Sequence, residues 1–323
     1  MADVFSTTTS GLGSNLVTMA YDKLIELNLR TTPQFRAIAD KKIGNPTHDG
    51  SSIRFQFYND IADTTIAGAT LAETVDPDAT ALPATTTLDV TQTELGRVVL
   101  PTRKLSLMTL SDVDPWIANA ISFNMAMTLD NGIAAILDGG TNVIREAAGV
   151  LSTTAAKNTI LATDTIKSRD VRYAFTKLKA GNVIPRGGMY VSYIHPEVSH
   201  DLRTETGNNI WRTPHEYQNA APLLAGELGA WEGVRFIEST NMTSSQSGSG
   251  TGGTQVRVFN TYVLGQQALA EAVWKEPGIE FGNVVDKLNR FRPVGWHGII
   301  NWSVFRQAAL YRIETAASGR PNA

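Results

Sequence analysis

Residues 53–138 constrain this chain more than any other stretch. A candidate hairpin with a long, broken middle runs directly into a long helix that is nearly free of charge. The first strand is IRFQFYNDI (residues 53–61) and the second is TTTLDVTQTELGRVVL (residues 85–100). The segment between them, ADTTIAGATLAETVDPDATALPA, is too polar and too interrupted by Pro77 and Pro83 to pack as a domain. Connections of this length are uncommon inside compact domains and usually serve a function. A two-stranded ribbon that reaches away from its own core is marginal alone. It therefore needs a second surface, and a neighbouring copy of the chain is the nearest candidate. The pattern points to assembly rather than catalysis.

The helix has clear ends. Asp114 and Pro115 supply an N-cap and a first-turn proline, and Gly139-Gly140 closes it. Ile117, Ile121, Met125, Leu129 and Ile133 recur at intervals of four, and Trp116, Ala120, Phe123 and Met127 make a second apolar row. Over residues 115–138 the helix is about 36 Å long, enough for a spine. Upstream, residues 1–45 read as an arm, with Leu16, Met19, Ala20, Leu24 and Leu27 at helical spacing before Thr32-Pro33 breaks the pattern. An arm with so few apolar residues of its own to bury should lie against something else. Downstream, residues 165–264 alternate helix and strand: a helix over 166–180, strands at 189–194, 234–239 and 255–264, and a short helix opened by His195-Pro196. SSQSGSGTGGT (residues 244–254) reads as a flexible surface loop. From Ala270 to Thr315 the pattern returns to strands, with Trp296, Ile300, Trp302 and Val304 on one face.

Composition narrows the function. The chain has 323 residues, 42% hydrophobic and 18% charged, with a formal net charge of −3. That leaves no electrostatic footprint of a nucleic-acid binder. The absence of cysteine excludes disulfides, thiolate nucleophiles and Cys-ligated zinc. The start, MADVFSTTTSGLGSNLV, lacks the pattern of a signal peptide. The apolar run 115–129 is shorter than the ~20 residues of a bilayer span, so no membrane is expected. Gly248, Gly250 and Gly253 match G-x-G-x-x-G, but a strand rather than a helix follows. HPEVSH (residues 195–200) has the wrong spacing for a zinc helix. Arg203, Arg212 and Arg235 read as rim ion pairs more readily than as an anion site, and Lys41-Lys42 as a solvated pair. Trp211, Trp231, Trp274, Trp296 and Trp302 read as core or interface anchors. No catalytic, metal or cofactor site stands out.

The order of elements, with MYVSYIHPEVSHDLR, GELGAWEGVRFIES and GWHGIINWSVFRQAALYRIETA, resembles the major capsid proteins of tailed bacteriophages, of the Johnson (Hong Kong 97-like) fold. Within that group it looks most like the phage N4-type family. The resemblance implies an α+β fold with an N-terminal arm (1–48), an extended loop (49–102), a peripheral domain (103–149 and 269–323) and an axial domain (150–268). It implies hexamers and pentamers of an icosahedral shell around double-stranded DNA, assembled in the cytoplasm of a bacterial host. Other copies, a portal, and scaffolding or decoration proteins would be the partners, with DNA contacted only by non-specific proximity. Intersubunit contacts are expected at Ile66, Leu71, Glu73, Asp76 and Asp78 on the loop, the acidic ones meeting Arg or Lys on the adjacent subunit. Some shells of this fold are welded by isopeptide bonds from a loop lysine. Residues 53–97 hold no lysine, only Arg54 and Arg97, and arginine cannot substitute, so a non-covalent shell is expected. A spine with Asp114, Asp130 and Asp138 and no lysine would repel packed DNA. The rival readings are an encapsulin-like nanocompartment shell and an enzyme with a small-molecule site in the α/β lobe.

Overall fold

In the computed structural model the described residues are 30–43, 50–62, 65–71, 73–76, 79–108, 114–205, 227–249, 255–283, 286, 288 and 290–319. The amphipathic stretch from Leu16 to Leu27, Trp211, Arg212 and Asp78 lie outside them. After a 3-10 turn at Phe35–Ile38 the chain forms β1 (Asp40–Ile43), β2 (Ser52–Phe57), a one-turn helix α1 (Ile66–Ala69), β3 (Thr86–Thr91), β4 (Glu94–Val99), α2 (Arg103–Met108) and the long α3 (Asp114–Asp138). Then come β5 (Val143–Ala147), β6 (Val150–Ser152), α4 (Ser168–Ala180), β7 (Tyr190–Ile194) and α5 (Pro196–Thr204). Further on come the strands β8 (Glu227–Trp231), β9 (Val234–Glu238), β10 (Ser244–Ser249), β11 (Gln255–Leu264), β12 (Leu269–Phe281), β13 (Val294–Val304) and β14 (Leu310–Thr315). They build a four-stranded sheet, β1-β12-β13-β4, and an eight-stranded sheet, β6-β5-β14-β11-β7-β9-β8 with β10 on β11. β2 and β3 form a separate ribbon.

The four-residue spacing of α3 places Ile117, Ile121, Leu129, Ile133 and Leu137 on its buried side. Leu129, Ile133 and Leu137 pack with Phe35, Tyr262, Leu269, Trp302 and Leu310 in the main core, which joins both sheets. By length and composition, residues 116–138 would suffice to cross a membrane. Here they form a core helix whose buried side carries a carboxylate, Asp130. Asp130 Oδ1 accepts the backbone N–H groups of Gln34 (2.9 Å) and Phe35 (2.7 Å), and Oδ2 accepts Asn241 Nδ2 (2.8 Å). At the far end Asp138 Oδ1 accepts Thr243 Oγ1, Asn260 Nδ2 and Tyr262 Oη. These contacts correct the expectation of a phosphate-repelling spine surface. Asp130 and Asp138 are used inside the subunit, because buried donors require acceptors.

Other sequence expectations change for tertiary reasons. Residues 85–100 are not one strand. The chain breaks at Gln92-Thr93, β3 pairs β2 (Leu88 with Phe55) and β4 crosses to β13 (Arg97 with Trp296). Ile300 N–H donates to the Thr93 carbonyl (3.0 Å) and Asn301 Nδ2 to that of Thr91 (2.8 Å), pinning the crossover. SSQSGS is not a loop but β10, laid antiparallel on β11. Backbone pairing to an almost wholly buried central strand outweighs the weak strand preference of Ser and Gly. β14 pairs β11 and β5, so residues 269–323 divide between the sheets, and β5, from the 103–149 stretch, joins the larger one. The arm buries Phe35 and Ile38 in its own subunit's core. Lys41 and Lys42 are not simply solvated: Lys41 Nζ meets Glu276 at 2.6 Å and Lys42 Nζ donates to the Arg54 carbonyl at 2.6 Å.

Candidate assembly interface

The ribbon is amphipathic by the two-residue period of a strand. Ile53 and Phe55 of β2 are buried, while Arg54 and Gln56 are exposed. The buried pair packs with Val90, Ala270 and Ala272, flanked by Trp274 and Phe305. On the open face Arg54 grips Asp89 through two hydrogen bonds, at 2.7 and 2.8 Å. That hydrogen bonding raises the Arg54 pKa and lowers that of Asp89. At the end of the ribbon Phe57 packs on Phe305, with ring centroids 4.8 Å apart, and Arg306 lies over Phe57. Asn59 Nδ2 then bonds the Ala84 carbonyl (2.6 Å) and Thr86 Oγ1 (3.1 Å), tying the two legs together.

Beyond that tie the described loop residues stand open to solvent. Ile66, in α1, is 90% exposed and Leu71 69% exposed, and Tyr58, Ile61, Val75 and Leu82 are exposed as well. Among the described residues Ala69 N–H donates to the Thr65 carbonyl (2.9 Å) and Thr70 Oγ1 to the Ile66 carbonyl (2.8 Å). Glu73 and Asp76 are exposed and form no ion pair among the described residues. The structure thus sets Ile66, Leu71, Glu73 and Asp76 on one segment, each exposed to solvent in the subunit. Apolar surface in water costs about 25 cal/mol per Å².

A second exposed apolar surface escaped the sequence reading. It lies at the opposite end of the four-stranded sheet, where β4 is the edge strand. Val98 and Val99 of β4, Leu105, Leu107 and Met108 of α2, and Phe281 at the end of β12 are exposed there. Thr102 bridges to Phe291, and Arg103 N–H donates to the Arg290 carbonyl (2.9 Å), so segments far apart in sequence share this end. Arg97, Arg103, Lys104, Arg290 and Arg292 surround the apolar residues and are all exposed. A cavity of about 400 Å³ opens among Arg97, Val98, Glu280, Pro293, Trp296 and His297. Gly295 lets β4 lie close against β13 there, since a Cβ would come 2.5 Å from the Arg97 carbonyl oxygen. The signal in the sequence was the mixture of bases and leucines in PTRKLSLM just after a strand.

Several residues weighed for chemistry are engaged within the subunit. His195 caps α5, its Nδ1 accepting Glu197 N–H at 3.2 Å, and its ring stacks on Phe259. Arg203 donates to the Ser199 carbonyl and lies 3.8 Å from Glu238. Trp231, Trp296 and Trp302 are buried. Among the described residues no group of three or more His, Asp or Glu is placed to hold a metal ion.

The profile of a family described as phage capsid protein matches residues 119–305, more than half of the chain. The chain belongs to the phage capsid protein family. Solved structures agree on the fold of this capsid protein. The Cyanophage Pam1 capsid asymmetric unit has a TM-score of 0.71 at 16% identity, covering 99% of this chain and 100% of that one. The capsid of Ralstonia phage GP4 gives 0.71 at 16% identity, with 98% and 100% covered. The head structure of Helicobacter pylori bacteriophage KHP40 gives 0.68 at 12% identity, with 98% and 99% covered. A search of curated proteins returned no match. At such identities the likeness is one of fold: a mixture of helix and sheet shared with phage capsids over nearly the whole chain.

Proposed function

We propose that this capsid protein is the major shell protein of a tailed phage, self-assembling into hexamers and pentamers of an icosahedral shell around double-stranded DNA. The fold would be Hong Kong 97-like, of the N4 type, and assembly would take place in the cytoplasm of a bacterial host. The observation that carries this reading is the loop beyond Asn59, whose apolar side chains stand in water in a single subunit. Such a segment gains stability only by burial against another molecule, and a shell provides that molecule at every position. In this reading residues 1–48 act as the arm and 49–102 as the extended loop. The spine helix with β12 and β13 would form the peripheral domain, joined by β1 of the arm and β4 of the loop, and the eight-stranded sheet with α4 and α5 the axial one.

Ile66, Leu71, Glu73, Asp76 and Asp78 would make the intersubunit contact. With no lysine between residues 53 and 97, that contact would be non-covalent. A portal and scaffolding or decoration proteins would complete the particle, and the DNA would be held by enclosure. Negative-stain electron microscopy of the purified protein tests the reading. Shells, tubes or hexameric rings are expected, and DNA-filled particles from infected cells distinguish a phage head from a cargo compartment. A protein that stays monomeric at high concentration and in added scaffold would refute it.

A further inference from the structure

We propose that Glu146 and Asp170 hold a single proton between them, and that this proton latches the β5–β6 hairpin to the start of α4. The latch is a pH-sensitive device of the larger sheet, independent of how copies of the chain assemble.

Donors and acceptors do not balance at this point of the fold. Glu146 on β5 and Asp170 in the first turn of α4 are both fully buried. Glu146 Oε1 accepts Lys167 Nζ (2.8 Å) and Arg169 Nη2. Asp170 Oδ2 accepts the Lys167 backbone N–H (2.9 Å). The other two oxygens, Glu146 Oε2 and Asp170 Oδ1, are buried with no donor among the described residues. Arg169 Nε stays 3.7 Å from Asp170 Oδ1, beyond hydrogen-bond range. The two carboxyl groups are nevertheless in hydrogen-bond contact with each other. Two ionised carboxylates cannot meet in this way, because each only accepts. One proton between them turns two orphaned acceptors into a charge-assisted O–H···O bond and removes the like-charge repulsion of the pair.

The surrounding charges place the proton on Asp170. Lys167 and Arg169 both serve Glu146 and hold it ionised. Glu205, at the end of α5, accepts the Ser168 N–H (2.7 Å) and Ser168 Oγ beside the same helix start. Asp164 is taken up by the hairpin turn, accepting the N–H groups of Ala148, Gly149 and Leu161, each at 2.8 Å. The two cations thus balance Glu146 and Glu205, and an ionised Asp170 would be the surplus charge. Burial, and then the charge of Glu146, raise Asp170 to about 7. What the proton holds together is local. Ile144 and Leu151 of the hairpin join Val171, Ala174 and Leu178 of α4 in one apolar cluster, and Arg169 Nη2 donates to the Gly149 carbonyl (2.7 Å). β6 lies at the edge of the sheet with β5 as its strand neighbour, so the hairpin can open without unzipping the other strands.

Infrared spectra of the full-length chain read the proton directly. Exposed carboxyl groups are ionised at about pH 6, so a remaining band of un-ionised carboxylic acid reports a held proton. Wild type is expected to show that band and to lose it as pH rises through about 7, and Asp170→Asn to lack it. In Glu146→Gln the new amide supplies the donor that Asp170 Oδ1 lacks, so the band should vanish at clearly lower pH. A band that keeps its wild-type midpoint in Glu146→Gln would show that burial alone holds the proton, and sharing would be overturned. Identical spectra for wild type and Asp170→Asn would overturn it too. Hydrogen exchange reads the latch. Corrected for intrinsic rates, protection of the amides from Glu146 to Leu151 is expected to fall by up to about tenfold per pH unit above pH 5 and to level off beyond about 7. Asp170→Asn, whose amide can accept the Lys167 N–H and donate to Glu146 Oε2, should hold that protection constant. Protection in wild type that does not change with pH would overturn the latch, and this arm stands even where a substitution prevents folding.

Discussion

At Asp130 one carboxylate fastens the arm, the spine and the turn after β9 to each other. Replacing it with alanine leaves the N–H groups of Gln34 and Phe35 without an acceptor in a closed site, and each such group costs about 1–3 kcal/mol. Asp130→Ala is therefore expected to lower subunit stability by about 2–4 kcal/mol in urea titration. Asp130→Asn, which keeps one acceptor, should cost less. A different carboxyl sets a pH dependence. Burial, and then the charge of Glu146, push Asp170 up to about 7. Burial would raise Glu146 as well, but hydrogen bonds from Arg169 and Lys167 outweigh it and hold Glu146 below its usual value. The folded subunit thus keeps a proton on Asp170 that the unfolded chain releases near its ordinary 3.8. The associated stability is present in full below that value and is lost as pH rises through about 7. Within this window the slope is at most about 1.4 kcal/mol per pH unit. Urea midpoints are expected to fall between pH 5 and pH 8, and Asp170→Asn, neutral throughout, should flatten the fall. An unchanged slope in that variant would assign the pH dependence elsewhere.

Among the elements, the loop is expected to differ most between free and assembled protein. The side chains of Ile66, Leu71 and Val75 stand exposed in the subunit, so hydrogen exchange around them should be fast in unassembled subunits and slow in particles. Equal rates in the two states would place the contact on another segment. Much of this level could be read from sequence. The period of four in α3, the apolar run of β11 and the proline-broken middle of the ribbon each specify their element locally. What could not be read depends on partners remote in the chain. β10 is a strand only because β11 offers it an edge, and the crossing of β4 depends on β13, some two hundred residues further on. The same divides the candidate site: the loop announces itself by exposed isoleucine and leucine among carboxylates, whereas the basic end is assembled from residues 97–108 and 281–292 and exists only in the fold.

For the molecule as a whole, the absence of a loop lysine predicts how particles come apart. Boiled in detergent, they should release a single band at the 34.9 kDa of the monomer, and a covalent ladder from wild-type protein would show a cross-link that residues 53–97 cannot make. The crossover at Gln92-Thr93 has a mechanical consequence. The ribbon continues directly into β4, which is bonded to β13 from Glu94 to Val99. A pull on the loop, directed away from the Val304 end of β13, runs along the length of β4 and draws its backbone bonds in shear. Loaded this way, the rungs from Glu94 to Val99 yield together instead of opening one after another as in a peeled zipper. The subunit would then resist a tug from its neighbour more strongly than the modest size of the ribbon suggests, with β4 as the tendon that delivers the force to the sheet.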